Sequence, residues 1–365
     1  MSPKRPIPDG PISLKKLAAH LGLDSTTVSV VLNEVPGRSI PQVTRDRIKA
    51  AAAKFNYRPS FLARSLRSRK TLTIGILAPE LGDGYHTQVL GGIGDHLMEA
   101  GYFYFTAHHR HRKDLVEEYS QMLLARGVEA LISIDTNLEH GYPVPVASVA
   151  GHQSVAGVTN IVLDHRFAAE LTLTHLYSLG HRRIAFMRGQ PFSSDSDERW
   201  HSLVQAARGI GITIHPELVV QLSRDIWTPD LGYPVIQQLL AGTRDFTAVI
   251  SFNDISAIGA ICALQDFGMR VPEDVSVIGF DDISAAAFNS PKLTTIRQPL
   301  SNMGRIAAQC VLNQIHQSEG FRKQITVEPE LIVRESTGMV APATAGRNRR
   351  TRTANANSRT GHSDS

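Results

Sequence analysis

Short apolar runs alternate with helix-like stretches along most of this chain of 365 residues. The apolar runs cover 74–78, 102–106, 130–134, 184–187, 247–252 and 275–279, and stretches with helical spacing, such as 88–100 and 254–267, lie between them. Alternation of this kind is typical of parallel sheets whose strands are joined by helices. Residues 71–341 are therefore expected to form an α/β body, with enough strands for two similar lobes.

Residues 12–57 show a different pattern, that of three short helices. Ser13 is a candidate N-cap of the first helix, and Gly22 is expected to end it. Pro41 opens the third helix, after a loop that contains Pro36 and Gly37. Apolar residues recur at helical spacing in the first helix (Leu14, Leu17, Ala18 and Leu21) and in the third (Ile48, Ala51, Ala52 and Phe55).

Between these helices lies the segment DSTTVSVVLN, residues 24–33, which is rich in β-branched side chains that favour strands. A lone strand in so small a unit would leave its backbone groups unpaired. The segment is therefore predicted to be a helix capped by Asp24, and the tight turn at Gly22 makes the first two helices a helix-turn-helix. Its buried side is expected to hold Val28, Val31 and Leu32, and its outer side Ser25, Thr26, Ser29 and Val30.

Charge is distributed unevenly along the chain. Residues 1–70 hold 14 Lys and Arg against 4 Asp and Glu, a net charge of +10, whereas residues 71–341 carry −10 and residues 342–365 carry +4. A small basic unit on an acidic body indicates that the basic unit binds a polyanion. A basic face that is merely solvated is the alternative.

Several classes of protein are disfavoured. No apolar run reaches the roughly 18 residues needed to span a bilayer, and residues 1–11 lack the apolar core of a secretory signal. Cys262 and Cys310 are far apart without a CxxC pattern, so neither a disulfide framework nor a zinc site is predicted. The histidines of HHRH, residues 108–111, lack metal-ligand spacing and are expected in a solvated loop at the rim of a cleft.

Residues 58–70, RPSFLARSLRSRK, could form a short helix capped by Ser60. A helix of this length is marginal alone in water, so it is expected to order on a partner or against a second copy of the chain. The basic tail, residues 342–365, lacks apolar periodicity and is expected to be disordered.

These stretches together resemble one family. ISLKKLAAHLGLDSTTVSVVLN and YRPSFLARSLRSRKTLTIGILAP are similar to the head and hinge of the lactose-repressor/galactose-repressor (LacI/GalR) family of bacterial transcription regulators. The runs GHRRIAF, TAVISFNDISAIGAICAL, VPEDVSVIGFDDI and PKLTTIRQPL resemble signature runs of that family's body. The resemblance covers about residues 12–340, with several motifs in the family's order.

The resemblance implies an all-α helix-turn-helix head (12–57), a hinge helix (58–70) and a two-lobed α/β body with parallel sheets, like periplasmic binding proteins. A flexible arm (1–11) and the tail flank these units. The chain would cross between lobes near Asn160, near Thr294–Arg297 and near Gln324. Lobe 1 would then contain about 71–160 and 294–324, and lobe 2 about 161–293 and 325–341.

In this family the second head helix enters the major groove of DNA. The matching base-facing positions are Ser25, Thr26 and Val30, Thr27 and Ser29 are candidates for phosphate contacts, and Asn33 and Tyr57 complete the head's expected DNA-binding residues. Ser and Thr read bases weakly. Val30 could offer only apolar contact, for instance to a thymine methyl, unless it simply packs within the head.

The resemblance also assigns a role to the hinge. Leu66 matches the leucine that the family inserts between base pairs in the minor groove, with Ala63 and Arg67 beside it. Such a wedge kinks the duplex and requires two hinge helices to pair across a twofold axis, which implies a homodimer on a pseudo-palindromic operator. Ordinary packing of Leu66 within a dimer is the alternative. The tail lacks leucine heptads, so a dimer is favoured over a tetramer.

Four residues match the family's effector positions: Arg199, Trp227, Asn253 and Asp281. Their charged, amide and aromatic groups suit a sugar or a sugar derivative. Asp281 could instead cap a turn, and Trp227 could pack inside a lobe. Departures from the family pattern surround this cleft, namely Gly84-Tyr85-His86, Arg188 and Ser202, while the loop EVPGRSI is longer than usual and Pro41 replaces a Ser cap.

The expected partners are an operator in double-stranded DNA, a small-molecule effector and a second copy of the chain. No membrane, cofactor, metal or catalytic residue is predicted, and the expected location is the cytoplasm, at the nucleoid when bound to DNA. A transport-type sugar-binding protein without DNA regulation is the alternative, but it predicts a signal peptide and no basic head. An enzyme is disfavoured because no G-x-S-x-G elbow, P-loop or dinucleotide fingerprint is present.

Overall fold

A computed structural model describes residues 12–33, 38–57, 65, 70–82, 84–318 and 320–340. The expected arm (1–11), the hinge residues Ala63, Leu66 and Arg67, and the tail (342–365) lie outside the described residues.

The head consists of α1 (Leu14–Leu21), α2 (Ser25–Leu32) and α3 (Gln42–Lys54). Ser13 caps α1 by accepting from the Lys16 backbone N–H, and Gly22 ends it at a φ of 63°, in the left-handed region that glycine adopts without strain. Asp24 caps α2 by accepting from the Thr26 N–H at 2.7 Å. The segment DSTTVSVVLN is therefore a helix, as predicted.

Burial explains why a helix wins over a strand here. Val28 and Val31 are fully buried in the head core, together with Leu17 of α1 and Ile48 of α3. Burying each such side chain contributes about 1.5–3 kcal/mol, more than the few tenths of a kcal/mol that helix propensity costs a valine. Arg47 of α3 also donates to the Leu21 carbonyl, which joins the third helix to the first.

The body contains two six-stranded sheets. The strands are β1 (Thr73–Ala78), β2 (Phe103–His108), β3 (Ala130–Ile134), β4 (Val146–Val149), β5 (Val158–Leu163), β6 (Ile184–Arg188), β7 (Val219–Gln221), β8 (Ala248–Ile250), β9 (Ser276–Asp281), β10 (Thr294–Arg297), β11 (Gln324–Val327) and β12 (Glu330–Ile332). The first sheet has the strand order β11-β5-β4-β3-β1-β2, and all its pairings are parallel. The second has the order β12-β10-β9-β8-β6-β7, and in it only β12 is antiparallel to its neighbour.

Helices cover these sheets, as the alternation predicted. They are α4 (Gly84–Glu99), α5 (Lys113–Ala125), α6 (His165–Ser178), α7 (Ser196–Gly209), α8 (Tyr233–Gly242), α9 (Asp254–Asp266), α10 (Ser284–Phe288) and α11 (Leu300–His316). We call the first sheet with α4, α5 and α11 lobe 1, and the second sheet with α6 to α10 lobe 2. Central strands such as β1, β3 and β5 are buried at every residue, which is why they read as apolar runs.

The crossings between lobes lie a few residues beyond the expected positions. Asn160 and Gln324 lie inside β5 and β11 of the lobe 1 sheet, and Thr294–Arg297 is a complete strand of the lobe 2 sheet. A strand must finish its ladder before the chain can leave the sheet, so the crossings follow β5, β10 and β11. Residues 294–297 therefore belong with lobe 2, and 161–163 and 325–327 with lobe 1.

No helix in the described part of the chain is long and apolar enough to cross a membrane.

Candidate functional site

The outer face of α2 is the first candidate site. Thr26 is exposed, and Ser25, Thr27 and Ser29 are half-buried, so hydroxyl groups remain accessible along this helix. The other two head helices carry exposed cations, namely Lys15, Lys16, Arg47, Lys49 and Lys54. Hydroxyls among basic side chains can contact base edges and phosphates, which is the chemistry of a nucleic-acid interface.

The other three head residues assigned to this face differ from one another. Asn33 is exposed at the end of α2, and its Nδ2 donates to the Ser29 carbonyl at 2.8 Å and to the Ser29 hydroxyl at 3.2 Å. Tyr57 is half-buried against the head core, and that burial raises the pKa of its phenol.

The outward position predicted for Val30 is wrong. Its side chain is only 2% exposed, so no apolar contact with a thymine methyl is available in this conformation. In a helix, consecutive residues are rotated by about 100°, which puts Val30 on the border of the face that holds Val31. A border position can be covered by neighbouring chain, and an apolar side chain gains free energy from that cover.

The second candidate site lies where the lobes meet, and we call it the inter-lobe cleft. The loops that follow β1, β3 and β4 of lobe 1 contact the loops that follow β6 and β9 of lobe 2. The carboxyl ends of parallel strands are where ligands bind in open α/β sheets. At Gly84 the two lobes are so close that an added Cβ would lie 2.8 Å from Ile283.

Arg199 is the central charge of the cleft. Its Nη2 donates to Asp195 Oδ2 at 2.7 Å and lies 3.6 Å from Asp281 Oδ1, while Nη1 donates to the Phe252 carbonyl at 2.8 Å. The guanidinium also lies over the Phe280 ring, 4.0 Å from its centre. Burial disfavours the charge on Arg199, but Asp195 and Asp281 outweigh burial and raise its pKa.

Asp281 is held in an unusual backbone conformation. Its φ of 112° lies in a region that side chains other than glycine rarely adopt, and its Oδ1 accepts from Gln298 at 2.7 Å. The next residue, Asp282, bonds Arg297 and Arg334 at 2.7 and 2.6 Å. These contacts hold the strained turn in place, and strain of this kind is concentrated at ligand sites. Asp281 thus lies beside Arg199 in the cleft, while Asp282 is paired with the two arginines.

Asn253 and Trp227 occupy other parts of the cleft. Asn253 is buried and caps α9, where its Oδ1 accepts from the Ser256 N–H at 2.9 Å. Trp227 is half-buried between two rings of lobe 1, with centre-to-centre distances of 5.0 Å to His86 and 6.4 Å to His111. The structure thus brings Arg199 and Asp281 together. Asn253 comes next to them through the preceding residue, Phe252, whose carbonyl accepts from Arg199. Trp227 lies against the His86 and His111 rings at the cleft rather than inside a lobe core.

The HHRH loop is not the solvated loop that was expected. His108 and Arg110 are exposed, but His109 is only 1% exposed and contacts the Thr136 hydroxyl at 2.8 Å through Nε2. Burial lowers the pKa of His109 to about 3, so its imidazole is neutral. His111 packs 4.5 Å from the Phe192 ring of lobe 2. His109 thus packs against the loop after β3 in its own lobe, and His111 packs against lobe 2. Neither contact can be predicted from the local sequence around HHRH.

Polar contacts across the cleft hold the lobes together. Asp135, at the end of β3, accepts from the Ser194 N–H at 2.8 Å and from the Ser194 and Ser193 hydroxyls at 2.6 and 3.3 Å. His152 of lobe 1 contacts Asp195 of lobe 2 at 2.6 Å. Asp135, His152 and Asp195 were not among the predicted site residues, although Asp135 directly follows the apolar run 130–134 and Asp195 lies one helical turn before Arg199.

A small apolar pocket with a cavity volume of about 30 Å³ adjoins Arg199 within lobe 2. Its walls include Phe186, Trp200 and Phe280, with Arg188 at one side. Arg188 lies 4.9 Å from the Trp200 ring centre and 3.7 Å from Asp197, so this departure from the family pattern is anchored beside the pocket.

Comparison with known proteins gives relatives over nearly the whole chain. Residues 173–337 match the periplasmic binding protein-like domain. The HTH-type transcriptional repressor PurR of Haemophilus influenzae is 31% identical over 334 residues, which cover 89% of this chain and 98% of that protein. The PurR repressor of Erwinia tasmaniensis is 31% identical over 333 residues, covering 89% of this chain and 96% of that one.

Solved structures give the same picture of the fold. The lac repressor dimer bound to operator and the anti-inducer ONPF superposes with a TM-score of 0.80 at 24% identity, over 90% of this chain and 100% of that chain. The transcriptional regulator CelR in complex with cellobiose gives a TM-score of 0.65 at 26% identity, over 89% of this chain and 99% of that chain.

Proposed function

Since this chain belongs to the lactose-repressor/galactose-repressor (LacI/GalR) family, we propose that it is a transcriptional repressor whose affinity for operator DNA depends on a small molecule bound in the inter-lobe cleft. One observation carries the proposal: a basic helix-turn-helix and a two-lobed body with buried charges in its cleft occur in one chain. The relatives named above are transcriptional repressors, and we assign no catalytic role.

For the head, α2 is the proposed recognition helix. Ser25 and Thr26 would contact base edges, and Thr27 and Ser29 would contact phosphates. Asn33 and Tyr57 would lie at the margin of the interface. With Val30 buried, α2 offers mainly single hydroxyl groups, so DNA shape and the hinge would carry much of the specificity. Leu66, flanked by Ala63 and Arg67, remains the proposed minor-groove wedge.

The proposed assembly is a homodimer. The edge strand β2 of lobe 1 exposes Phe103 (62%) and Phe105 (41%), and Met98 at the end of α4 is 71% exposed. In lobe 2, Phe288 is 88% exposed. Apolar side chains grouped on an unpaired sheet edge favour cover by another chain. A second copy would cover them and bring two hinges and two heads to one operator.

For the effector, we propose a sugar or a sugar derivative. Arg199 and Asp281 would bond hydroxyl or other polar groups, Asn253 would contribute its amide, and Trp227 would stack on an apolar ring face. The structural relative CelR is described in complex with cellobiose, which supports this ligand class.

Footprinting and fluorescence anisotropy on DNA around the protein's own gene test the DNA part. The Thr26→Ala and Leu66→Ala variants should lose specific affinity, whereas Glu118→Ala, at an exposed position of lobe 1, should not. The logarithm of the affinity should fall with the logarithm of the salt concentration with a slope of several units. Unchanged specific binding in both head and hinge variants would contradict this mechanism.

Thermal shift with a panel of sugars and sugar derivatives tests the cleft, because a bound ligand raises the unfolding temperature by mass action. Arg199→Lys should abolish the shift, since a lysine cannot reproduce the several bonds of the guanidinium. Arg208→Lys is the matched control, on the exposed side of the same helix α7. A shift that survives in Arg199→Lys would place the effector elsewhere.

A further inference from the structure

Two histidines and an aspartate converge where the lobes meet. His152 follows β4 of lobe 1, His165 is the first residue of α6 in lobe 2, and Asp195 directly precedes α7. His152 Nε2 lies 2.6 Å and His165 Nε2 3.3 Å from the same carboxylate oxygen, Asp195 Oδ1. One ligand atom from each of the three residues lies within 4.8 Å of the other two.

These distances fit a metal centre. Zinc in proteins takes imidazole nitrogens and carboxylate oxygens at about 2.0–2.2 Å, so neighbouring ligand atoms of a tetrahedron lie roughly 3.3 Å apart. The 3.3 Å between His165 Nε2 and Asp195 Oδ1 matches this spacing. The 2.6 Å between His152 Nε2 and Asp195 Oδ1 is shorter, so the partly exposed ring of His152 would have to move slightly away from the carboxylate.

A second observation points to a ligand at the same place. His165 is 7% exposed; its Nε2 lies 3.3 Å from Asp195 Oδ1 without the geometry of a hydrogen bond, and its Nδ1 has no hydrogen-bond partner among the described residues. A buried polar atom without a partner costs about 1–3 kcal/mol unless something binds it.

The carboxylate is also prepared to bind a cation. Asp195 is 3% exposed, and its second oxygen, Oδ2, is held by Arg199 at 2.7 Å, which leaves Oδ1 facing the two imidazoles.

From this arrangement we propose that His152, His165 and Asp195 bind a divalent transition cation of the zinc class. Two imidazoles and one carboxylate are a zinc ligand set that leaves a fourth position for water or for a polar group of the effector. The sequence predicted no metal site, because the three residues are 13 and 30 positions apart and only the fold brings them together. The choice of ligands disfavours Mg²⁺ and Ca²⁺, which prefer oxygen.

Such a cation would bridge the lobes, since His152 belongs to lobe 1 and the other two ligands to lobe 2. Metal uptake would therefore favour the closed cleft, because a ligand shifts a conformational equilibrium toward the state it binds better. The metal site stands on the geometry alone, and its effect on DNA affinity rests on the proposed repressor function.

Isothermal titration of the full-length, metal-free protein with Zn²⁺ tests the site, with Mg²⁺ as the negative control. His152→Gln and His165→Gln should each weaken zinc binding at least tenfold, given that loss of a mere outer-shell partner costs about 10–100-fold. His201→Gln is the matched control, an exposed histidine of α7, and should leave the titration unchanged. Co²⁺ should give the visible absorption of a tetrahedral centre in the wild-type protein and lose it in both variants.

Zinc binding of equal affinity and stoichiometry in wild-type protein and His152→Gln would overturn the proposal. His152 is the decisive position because its side chain is partly exposed, so its replacement is tolerated even if His165→Gln misfolds. A protein that binds its operator but takes up no zinc at these residues contradicts the metal site alone. A protein that takes up zinc here but binds no DNA contradicts the repressor function and supports the metal site.

Discussion

Removing the Asp135 carboxylate should open the cleft. Asp135 is 6% exposed and accepts from the Ser194 N–H and hydroxyl at 2.8 and 2.6 Å, across the boundary between the lobes. Hydrogen bonds to a charged group contribute about 1.5–3 kcal/mol each. Because the single proton of the Ser194 hydroxyl can go to the Ala150 carbonyl instead, we count about 3 kcal/mol in all. Asp135→Ala should therefore shift the equilibrium from closed to open lobes by roughly 100-fold.

Trp227 provides the assay. It lies against His86 and His111 of lobe 1, so opening exposes its indole to water and shifts its fluorescence to longer wavelength. The chain has two tryptophans, and a Trp200→Phe background leaves Trp227 as the only one. Small-angle X-ray scattering on the same samples should show a larger radius of gyration for Asp135→Ala.

The control is Asp197→Ala, which removes a carboxylate whose side chain is 82% exposed on α7. It should change neither the fluorescence nor the scattering. If Asp135→Ala gives the spectrum and the scattering of the wild-type protein, the Asp135 contacts do not hold the lobes together, and the reasoning is refuted.

Three further predictions concern the head and a buried acid. Thr26→Ala should weaken operator binding by about tenfold or less, because a single hydroxyl contributes less than the roughly 1–3 kcal/mol of discrimination that a bidentate contact gives. Fluorescence anisotropy should detect this loss. A higher affinity of Thr26→Ala for the operator would contradict the assignment of the outer face of α2 to DNA. Val30→Arg should destabilise the head by about 3 kcal/mol or more, by burying an unpaired charge, rather than retarget the helix to a new operator. Circular dichroism during thermal unfolding decides, and a stable variant with altered operator preference would restore an outward Val30. Burial raises the pKa of Asp254 to about 7. At pH values between the unfolded and the folded pKa, the Asp254 carboxyl is therefore protonated in the folded state and ionised in the unfolded state. The free energy of unfolding should then fall by up to about 4 kcal/mol from about pH 4 to about pH 7 and level off above that, and the Asp254→Asn variant should lack this slope in urea titrations.

Local interactions made much of the fold readable from the sequence. The caps at Ser13 and Asp24 and the end at Gly22 depend on hydrogen bonds and backbone angles within a few residues, so the pattern of residue types was sufficient. Buried parallel strands read as apolar runs for the same reason, and β3 coincides with the predicted 130–134. The run 247–252 was wider than its strand, Ala248–Ile250, because Thr247 precedes the strand and Ser251 and Phe252 lie in the loop that follows it.

Family resemblance located part of the candidate site. Arg199 and Asp281 do lie together, and Trp227 lies in the inter-lobe cleft. The hinge residues stay predictions, as does the base contact of each α2 hydroxyl. Val30 was placed wrongly because helical periodicity gives the direction of a side chain but not what covers it.

Tertiary structure alone decided which distant residues meet. His152, His165 and Asp195 come from three loops or helix starts on two lobes, and no local pattern links them. Whether β10 joins the lobe 2 sheet, and whether His109 turns inward, depends on packing between segments far apart in the chain. The sequence by itself determined the three head helices and the six strands that read as apolar runs (β1, β2, β3, β6, β8 and β9), since these follow from local hydrogen bonds and apolar periodicity. The packing of the two lobes alone determined which charges and imidazoles face one another in the cleft. This packing depends on contacts whose free energy exists only in the folded chain.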